Sequence, residues 1–250
     1  MTLMLEIKNI TKKFDGVHAV DHLSLLFEAG RITGIIGPNG SGKSTLVNVL
    51  TGMTPRDGGL VAVSGTTLPR IEPEEVSVYG ITRTFQDVRL FEQMSVLDNI
   101  LVVLTERNVW SAMFEKHGKF HLEKAEEVLK QVGLWEKRHE QAHDLSYGQR
   151  KLLEIARALA MTRGSGSEGE IFFFDEPFAG LFPEMIKVVM DVLLDLRRKN
   201  KAVILIEHNM DIIRKMCDYL YIMDSGKLLA EGKPNEVLSK GEVMEAYLGE

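Results

Sequence analysis

Ile32-Thr33-Gly34-Ile35-Ile36-Gly37-Pro38-Asn39-Gly40-Ser41-Gly42-Lys43-Ser44-Thr45-Leu46 is the stretch that decides the fold. Its first five residues form a short apolar run of strand length. The next eight, Gly37 to Ser44, fit G-x-x-x-x-G-K-[ST], the phosphate-binding loop pattern. Beyond them, Leu46, Val49 and Leu50 fall at i, i+3 and i+4, which is helix spacing. Strand, glycine-rich turn and helix are the context such a loop requires. Phosphate oxygens need several backbone N–H groups converging at close range. Glycines permit the dihedrals and keep side chains out of the way. The helix behind the loop presents its positive N-terminal end to the same anion. The candidate phosphate-binding residues are therefore Gly37, Pro38, Asn39, Gly40, Ser41, Gly42, Lys43, Ser44 and Thr45. Lys43 is placed to contact the β- and γ-phosphates, and the Ser44 hydroxyl to ligate Mg²⁺. The loop alone leaves kinases, GTPases and motors open.

Outward from the loop, the pattern changes three times. Leu3, Leu5 and Ile7, then Leu23, Leu25 and Phe27, alternate with polar or flexible neighbours and predict strands before Ala29-Gly30. From about Asp87 to Ala142 glycine is sparse and helical patterns dominate. Met94 to Leu104 reads as one helix, and Leu122, Ala125, Val128, Leu129 and Val132 form the stripe of another. A further helix near Arg150 carries Leu152, Ile155, Ala156 and Leu159 on one face, and the residues from 164 to 169 have loop composition. Strands and helices then alternate. Ile171 to Phe174 and Val203 to Ile206 are strands, and Pro183 suits the first position of a helix whose core face is Ile186, Val189, Leu193 and Leu196. Leu220 to Met223 and Lys227 to Ala230 flank Asp224-Ser225-Gly226 as a hairpin. Alternating strands and helices predict a mostly parallel sheet covered on both faces, with ligands beyond the carboxyl ends of its strands.

Composition narrows the function classes. With 36 acidic against 30 basic residues and a formal net charge of −6, the chain lacks the basic surface that non-specific nucleic-acid binding needs, so no nucleic-acid partner is expected. One cysteine, Cys217, excludes an internal disulfide and any multi-cysteine metal site, and suits a reducing cytosol. No apolar run approaches the roughly 18 residues needed to span a bilayer. The first residues carry no basic n-region, and a charge at Glu6 interrupts them, so no signal peptide is expected.

Two further motifs sit where chemistry would be needed. Ile171-Phe172-Phe173-Phe174-Asp175-Glu176-Pro177 is an apolar strand ending in two acids. Asp175 is placed to hold Mg²⁺, as the corresponding acid does in P-loop NTPases. Glu176 is then the candidate general base for the attacking water. An isolated Asp-Glu pair would more often be a solvated turn; beside a phosphate-binding loop, the catalytic reading prevails. Leu145-Ser146-Tyr147-Gly148-Gln149 precedes the amphipathic helix near Arg150, and Ser146 is a favoured helix cap. This set resembles the ATP-binding cassette (ABC) family, whose signature L-S-G-G-Q occupies this place. The resemblance covers nearly the whole chain. It implies an α/β P-loop NTPase (RecA-like) fold: a mostly parallel sheet core with an antiparallel β subdomain and an inserted α-helical lobe. Its expected bounds are residues 1–86 and 156–250 for the core and 87–155 for the lobe carrying the signature.

The resemblance also assigns residues. It implies that Ser146, Gly148 and Gln149 of one subunit cover the γ-phosphate held by the loop of another. Tyr147 departs from the family's glycine. Gln86 matches the family's glutamine loop, which touches Mg²⁺ and the water and relays movement to the permease. His208 matches the histidine switch on the γ-phosphate, and Phe14 the aromatic that stacks on adenine; the alternative for Phe14 is a core residue. The catalytic set is thus Glu176, His208, Gln86 and Lys43, and the Mg²⁺ set Ser44, Gln86 and Asp175. At Ala179-Gly180-Leu181-Phe182, Phe182 stands where the family commonly has aspartate.

Gly80-Ile81-Thr82-Arg83-Thr84-Phe85-Gln86-Asp87-Val88-Arg89-Leu90-Phe91 and Ile206-Glu207-His208-Asn209-Met210-Asp211 are similar to the ATPases of branched-chain amino-acid importers, and so is Glu245-Ala246-Tyr247-Leu248-Gly249. The implied cofactors are ATP and Mg²⁺. The implied partners are transmembrane permease subunits, a second ABC ATPase (identical or related) and an extracytoplasmic substrate-binding protein. The implied location is cytoplasmic, peripheral on the inner face of the cell membrane. A lipopolysaccharide-export-type ATPase and a soluble cassette without a transport role are the alternatives. Leu90 and Phe91 are either a permease-docking surface or lobe core.

Overall fold

The computed structural model of the chain describes residues 2–85, 87–104, 116–161 and 170–248. Two compact units emerge. One comprises Met1–Arg83, Gly166–Glu176 and Leu193–Glu250, the other Thr84–Ser165 and Pro177–Val192.

The first unit holds two sheets. β1 (Leu3–Phe14) and β2 (Val17–Glu28) are joined by the Asp15-Gly16 turn, and both residues of that turn have positive φ, the geometry a tight hairpin needs. They extend into a four-stranded sheet, order β2-β1-β4-β5, with β4 (Gly58–Val63) and β5 (Thr66–Leu68), all pairs antiparallel. The β1–β2 register shifts between Ile7 and Ile10, where Asn9 takes a left-handed conformation; His22 does so on β2. These bulges bend the ribbon yet leave Ile10 opposite Leu23, both buried.

The second sheet runs β10-β9-β3-β8-β7-β6. β3 (Arg31–Ile36), β6 (Ile81–Arg83), β7 (Ile171–Asp175), β8 (Ala202–Ile206) and β9 (Tyr219–Asp224) are parallel, and β10 (Lys227–Gly232) returns antiparallel along β9 as the expected hairpin. Every residue of β7 and β8 is buried, which is why both strands read as unbroken apolar runs. The Tyr221 hydroxyl ties the sheets together. It donates to the Leu26 carbonyl (2.7 Å) and accepts from the Leu26 N–H (3.0 Å), and burial pushes its pKa up to about 12.

The second unit is helical: α2 (Val96–Leu104), α3 (Lys116–Gln131) and α4 (Tyr147–Ala160), following α1 (Lys43–Leu50) of the first unit. α5 (Pro183–Arg198) begins at its proline, as its sequence predicts. Ala125, Val128 and Leu129 form the buried stripe of α3, and Val132 continues it just past the helix end, but Leu122 is 48% exposed. At 100° per residue Leu122 falls at the margin of that arc, where cover ends. Asn99, wholly buried, pins the chain entering α2: its amide nitrogen donates to the carbonyls of Phe91 and Ser95, and its oxygen accepts from the Phe91 N–H. No helix among the described residues is long and apolar enough to cross a membrane.

Candidate active site

β3 delivers the chain into the loop at the carboxyl end of the parallel sheet. Gly37, Gly40 and Gly42 all have positive φ, at 153°, 78° and 98°. At Gly37 a Cβ would strike the Met223 carbonyl oxygen, and at Gly42 the Ala19 carbonyl oxygen. Glycine is required there twice over, by dihedral and by space. The Gly226 N–H donates to the Ser41 carbonyl (3.0 Å), and the Gly226 carbonyl accepts from the Asp21 N–H (2.9 Å), so the β9–β10 turn braces the loop against β2. Lys43 is buried. Its ammonium donates to the carbonyls of Gly37 (2.8 Å) and Pro38 (2.9 Å) and to Ser41 Oγ (3.2 Å), closing the loop on itself. Ser44, at the start of α1, is exposed.

Register puts the other groups at the same end. Ile35 on β3 pairs with Ile206 on β8, and Ile206 pairs with Asp175 on β7. Asp175 is 5% exposed, its Oδ2 3.0 Å from Nη2 of Arg83. Glu176 follows with φ 48° and donates its N–H to the Ile206 carbonyl (3.0 Å). That left-handed residue turns the chain off the strand, at a cost of about 1–3 kcal/mol. Its Oε1 lies 3.1 Å from Nε2 of His208. Buried Glu207 accepts the N–H groups of His208 and Asn209 on its Oε2, which fixes the chain where His208 sits. Lys43, Asp175, Glu176 and His208 therefore gather at one end of one sheet. Gln86 lies outside the described residues, as does the stretch from 164 to 169.

Phe14 ends β1 and is 49% exposed, with the Lys12 ammonium 5.2 Å from its ring centre. It is not core. Phe91 is 45% exposed and Leu90 half-buried, so these are not lobe core either.

In the second unit, Ser146 caps α4 with a complete capping box. Its hydroxyl accepts from the Gln149 N–H (3.3 Å), and the Gln149 side-chain oxygen accepts from the Ser146 N–H (3.0 Å). The Tyr147 ring lies against Gly180, so close that a Cβ there would meet Cε1 at 2.9 Å; the Lys151 ammonium reaches the Ala179 carbonyl at 3.5 Å. Gly148 faces Met185 and Leu181, leaving no room for a side chain unless Met185 moves. α4 and residues 179–185 are thus packed together through the signature.

Several largely buried charges escaped the sequence reading, Glu154 and Arg83 among them. Glu154, 6% exposed, accepts the Phe85 N–H at 3.0 Å, next to the Gln86 position; burial pushes its pKa up to about 7, against the pull of that N–H and of Lys151, Arg157 and Arg89. Arg157 donates to the Arg89 carbonyl, with its guanidinium 5.2 Å from the Phe91 ring centre. Burial pulls the Arg157 pKa down. Arg83, its side chain 9% exposed, is another. Their settings were visible, an acid between the apolar positions of α4 and an arginine on an apolar strand, but their partners were not.

The residues present fit a magnesium-bound nucleotide. The loop has a cradle that side chains would fill, an ammonium inside it, a hydroxyl at the helix start and a buried carboxylate on the neighbouring strand end. Mg²⁺ characteristically takes one or two carboxylates plus phosphate oxygens.

Comparison with known proteins points the same way. A family model described as ABC transporter matches residues 20–179. The chain is 34% identical to the "High-affinity branched-chain amino acid transport ATP-binding protein LivG" of Salmonella typhimurium over 99% of this chain and 98% of that one. Among solved structures, a nucleotide-free ATP-binding cassette from an ABC transporter superposes with a TM-score of 0.84 at 36% identity, covering 99% of this chain and 100% of that one. The ADP conformation of an ATP-binding cassette of an ABC transporter does so with a TM-score of 0.84 at 35% identity, covering 100% of both.

Proposed function

This chain belongs to the ABC transporter family, as an ATP-binding cassette and an ATPase, and from that membership we propose that it powers import of branched-chain or similar amino acids through a separate membrane permease. The observation that carries the enzymatic part is the Glu176–His208 pair standing beside Asp175 and the Lys43 loop at one sheet end. The import part is supported by the relative's name and its near full-length match.

In this reading the cassettes work in pairs, identical or related. Each ATP lies between residues 37–45 of one subunit and Ser146, Gly148 and Gln149 of the other. The lobe carrying the signature, expected at 87–155, is the part that brings those donors to the phosphates. The backbone N–H groups of the loop hold the phosphates, and Lys43 exchanges the carbonyls of Gly37 and Pro38 for β- and γ-phosphate oxygens. Ser44, Asp175 and Gln86 would hold Mg²⁺, which would supply charge neutralisation at the phosphates. Glu176 accepts the proton of the attacking water, while His208 orients its carboxylate and contacts the γ-phosphate. Exposed Phe14 stacks on the base with little discrimination among purines. Residues near Gln86, Leu90 and Phe91 pass the motion to the permease. A substrate-binding protein on the far side of the membrane delivers the amino acid.

Mixing tests the shared site: Ser146→Arg and Lys43→Ala subunits should each be inactive alone, and combining them should restore one intact composite site. Normal hydrolysis by Ser146→Arg alone would refute the shared site. For the cargo, cells lacking the chain should lose uptake of labelled leucine and regain it with the parent but not with Glu176→Gln. Unchanged uptake would count against amino-acid import without touching the ATPase.

A further inference from the structure

The Mg²⁺ reading of Asp175 leaves open what balances that carboxylate when no cation is there. Asp175 is 5% exposed, at the tip of a strand buried on both faces. An ionised carboxylate in such a place is strongly disfavoured unless paired. Its partner is Arg83, the last residue of β6, one strand away. Nη2 of Arg83 contacts Asp175 Oδ2 at 3.0 Å, and the two side chains are 9% and 6% exposed. Nη1 donates to Asn48 Oδ1 (2.6 Å) and to Thr51 Oγ1 (3.3 Å). Asn48 lies within α1 and Thr51 caps its C-terminal end, the negative end of the helix whose first residue is Lys43. The Thr51 hydroxyl donates to the Val47 carbonyl (2.7 Å), which turns its lone pairs toward the arginine. One rigid guanidinium thus bridges the helix that leaves the phosphate loop and the acid at the end of β7. A lysine could not make that fork.

We propose that Arg83 is a positioning residue for Asp175: it supplies a counter-charge in the cation-free protein and fixes the carboxylate's rotation relative to α1, and it is the group with which Mg²⁺ would compete there. The proposal rests on the assignment of Asp175 to Mg²⁺. Removing Arg83 takes a cationic partner from a buried carboxylate, so Mg²⁺ would gain at Asp175 what the arginine had held.

The test uses Arg83→Met, Arg83→Lys and the double variant Arg83→Met/Asp175→Asn in the full-length chain. Melting temperature is read without ligand, and ADP affinity in Mg²⁺ and in EDTA. Arg83→Met should melt about 10 °C lower than the parent without ligand. Its gain in ADP affinity on going from EDTA to Mg²⁺ should exceed the parent's by about fivefold or more, a shift of roughly 1 kcal/mol at 25 °C. Arg83→Lys should recover part of the melting temperature. The double variant should recover most of it and respond to Mg²⁺ less than the parent does. An arginine that merely holds α1 through Asn48 and Thr51 would leave the Mg²⁺ gain at the parent's value and the double variant no more stable than the single; either result overturns the proposal. Should Arg83→Met fail to fold, a folded double variant supports the proposal and an unfolded one overturns it. A parent protein whose ADP affinity ignores Mg²⁺ would instead strike the assignment of Asp175 itself.

Discussion

The loop end of the first unit and the signature end of the second handle charge in opposite ways. Around the loop every principal charge is paired within the protein: Lys43 with its own loop carbonyls, Asp175 with Arg83, Glu176 with His208. At the signature, the polar groups close a neutral capping box, and large exposed side chains surround it, Tyr147 at 46% and Phe182 at 71% exposure. In the proposed reading, where the loop end receives a polyanion and a cation, these are provisional pairs that the ligand replaces. In the same reading the signature end meets a second subunit, for which aimed dipoles and apolar area suffice.

The contrast can be broken at several points. Glu176→Gln should cut turnover by about 10²–10⁴-fold while leaving ATP binding intact, because it removes the base and keeps the shape; steady-state kinetics beside equilibrium ATP binding will tell, and normal turnover would remove Glu176 from its role. Gly42→Ala forces a Cβ onto the Ala19 carbonyl at a φ of 98° and should destabilise the first unit by about 3 kcal/mol, seen as a lower denaturation midpoint. A midpoint equal to the parent's would mean the loop tolerates displacement.

Glu154 sharpens the comparison, since it is a buried charge of the second unit whose burial outweighs the pull of its neighbours. Its folded pKa, raised from 4.5 to about 7, means the folded protein holds a proton the unfolded chain has released. The group therefore lowers stability progressively as pH rises from about 4.5 to about 7, and by a constant amount above that. Glu154→Gln, neutral throughout, should come close to the parent near pH 4.5 and exceed it by roughly 3 kcal/mol at pH 8, provided its amide oxygen still accepts the Phe85 N–H. Denaturation series from pH 5 to 8 on both proteins give the difference, and parallel curves would remove the buried-acid account. Smallest, Ser146→Ala should cost α4 about 1 kcal/mol by unfolding equilibrium, with Lys43-dependent ADP binding unaltered; a loss of ADP binding in the isolated subunit would show that the cap serves the first unit as well.

The frame of the molecule could be read from local patterns. The β3–loop–α1 sequence, the two buried strands and the Pro183 start each depend on neighbours in the chain, and local spacing reports them faithfully. The helix cap at Ser146 was legible for the same reason. Arg83 and Glu154 were not, because their meaning lies in partners 92 and 69 residues away. Leu122 misled because periodicity marks a direction on a helix without marking how far the cover extends. Phe14 needed the hairpin itself to tell a core ring from an exposed one.

The brace at Gly226 has a consequence for how the enzyme can move. Ser41, Gly226 and Asp21 are linked main chain to main chain, and Gly42 rests on the carbonyl of Ala19. Side chains can swing aside; these contacts cannot yield without dismantling two sheets. The phosphate seat therefore acts as an anvil, and whatever stroke accompanies the gain or loss of a phosphate must be delivered by parts that strike against it.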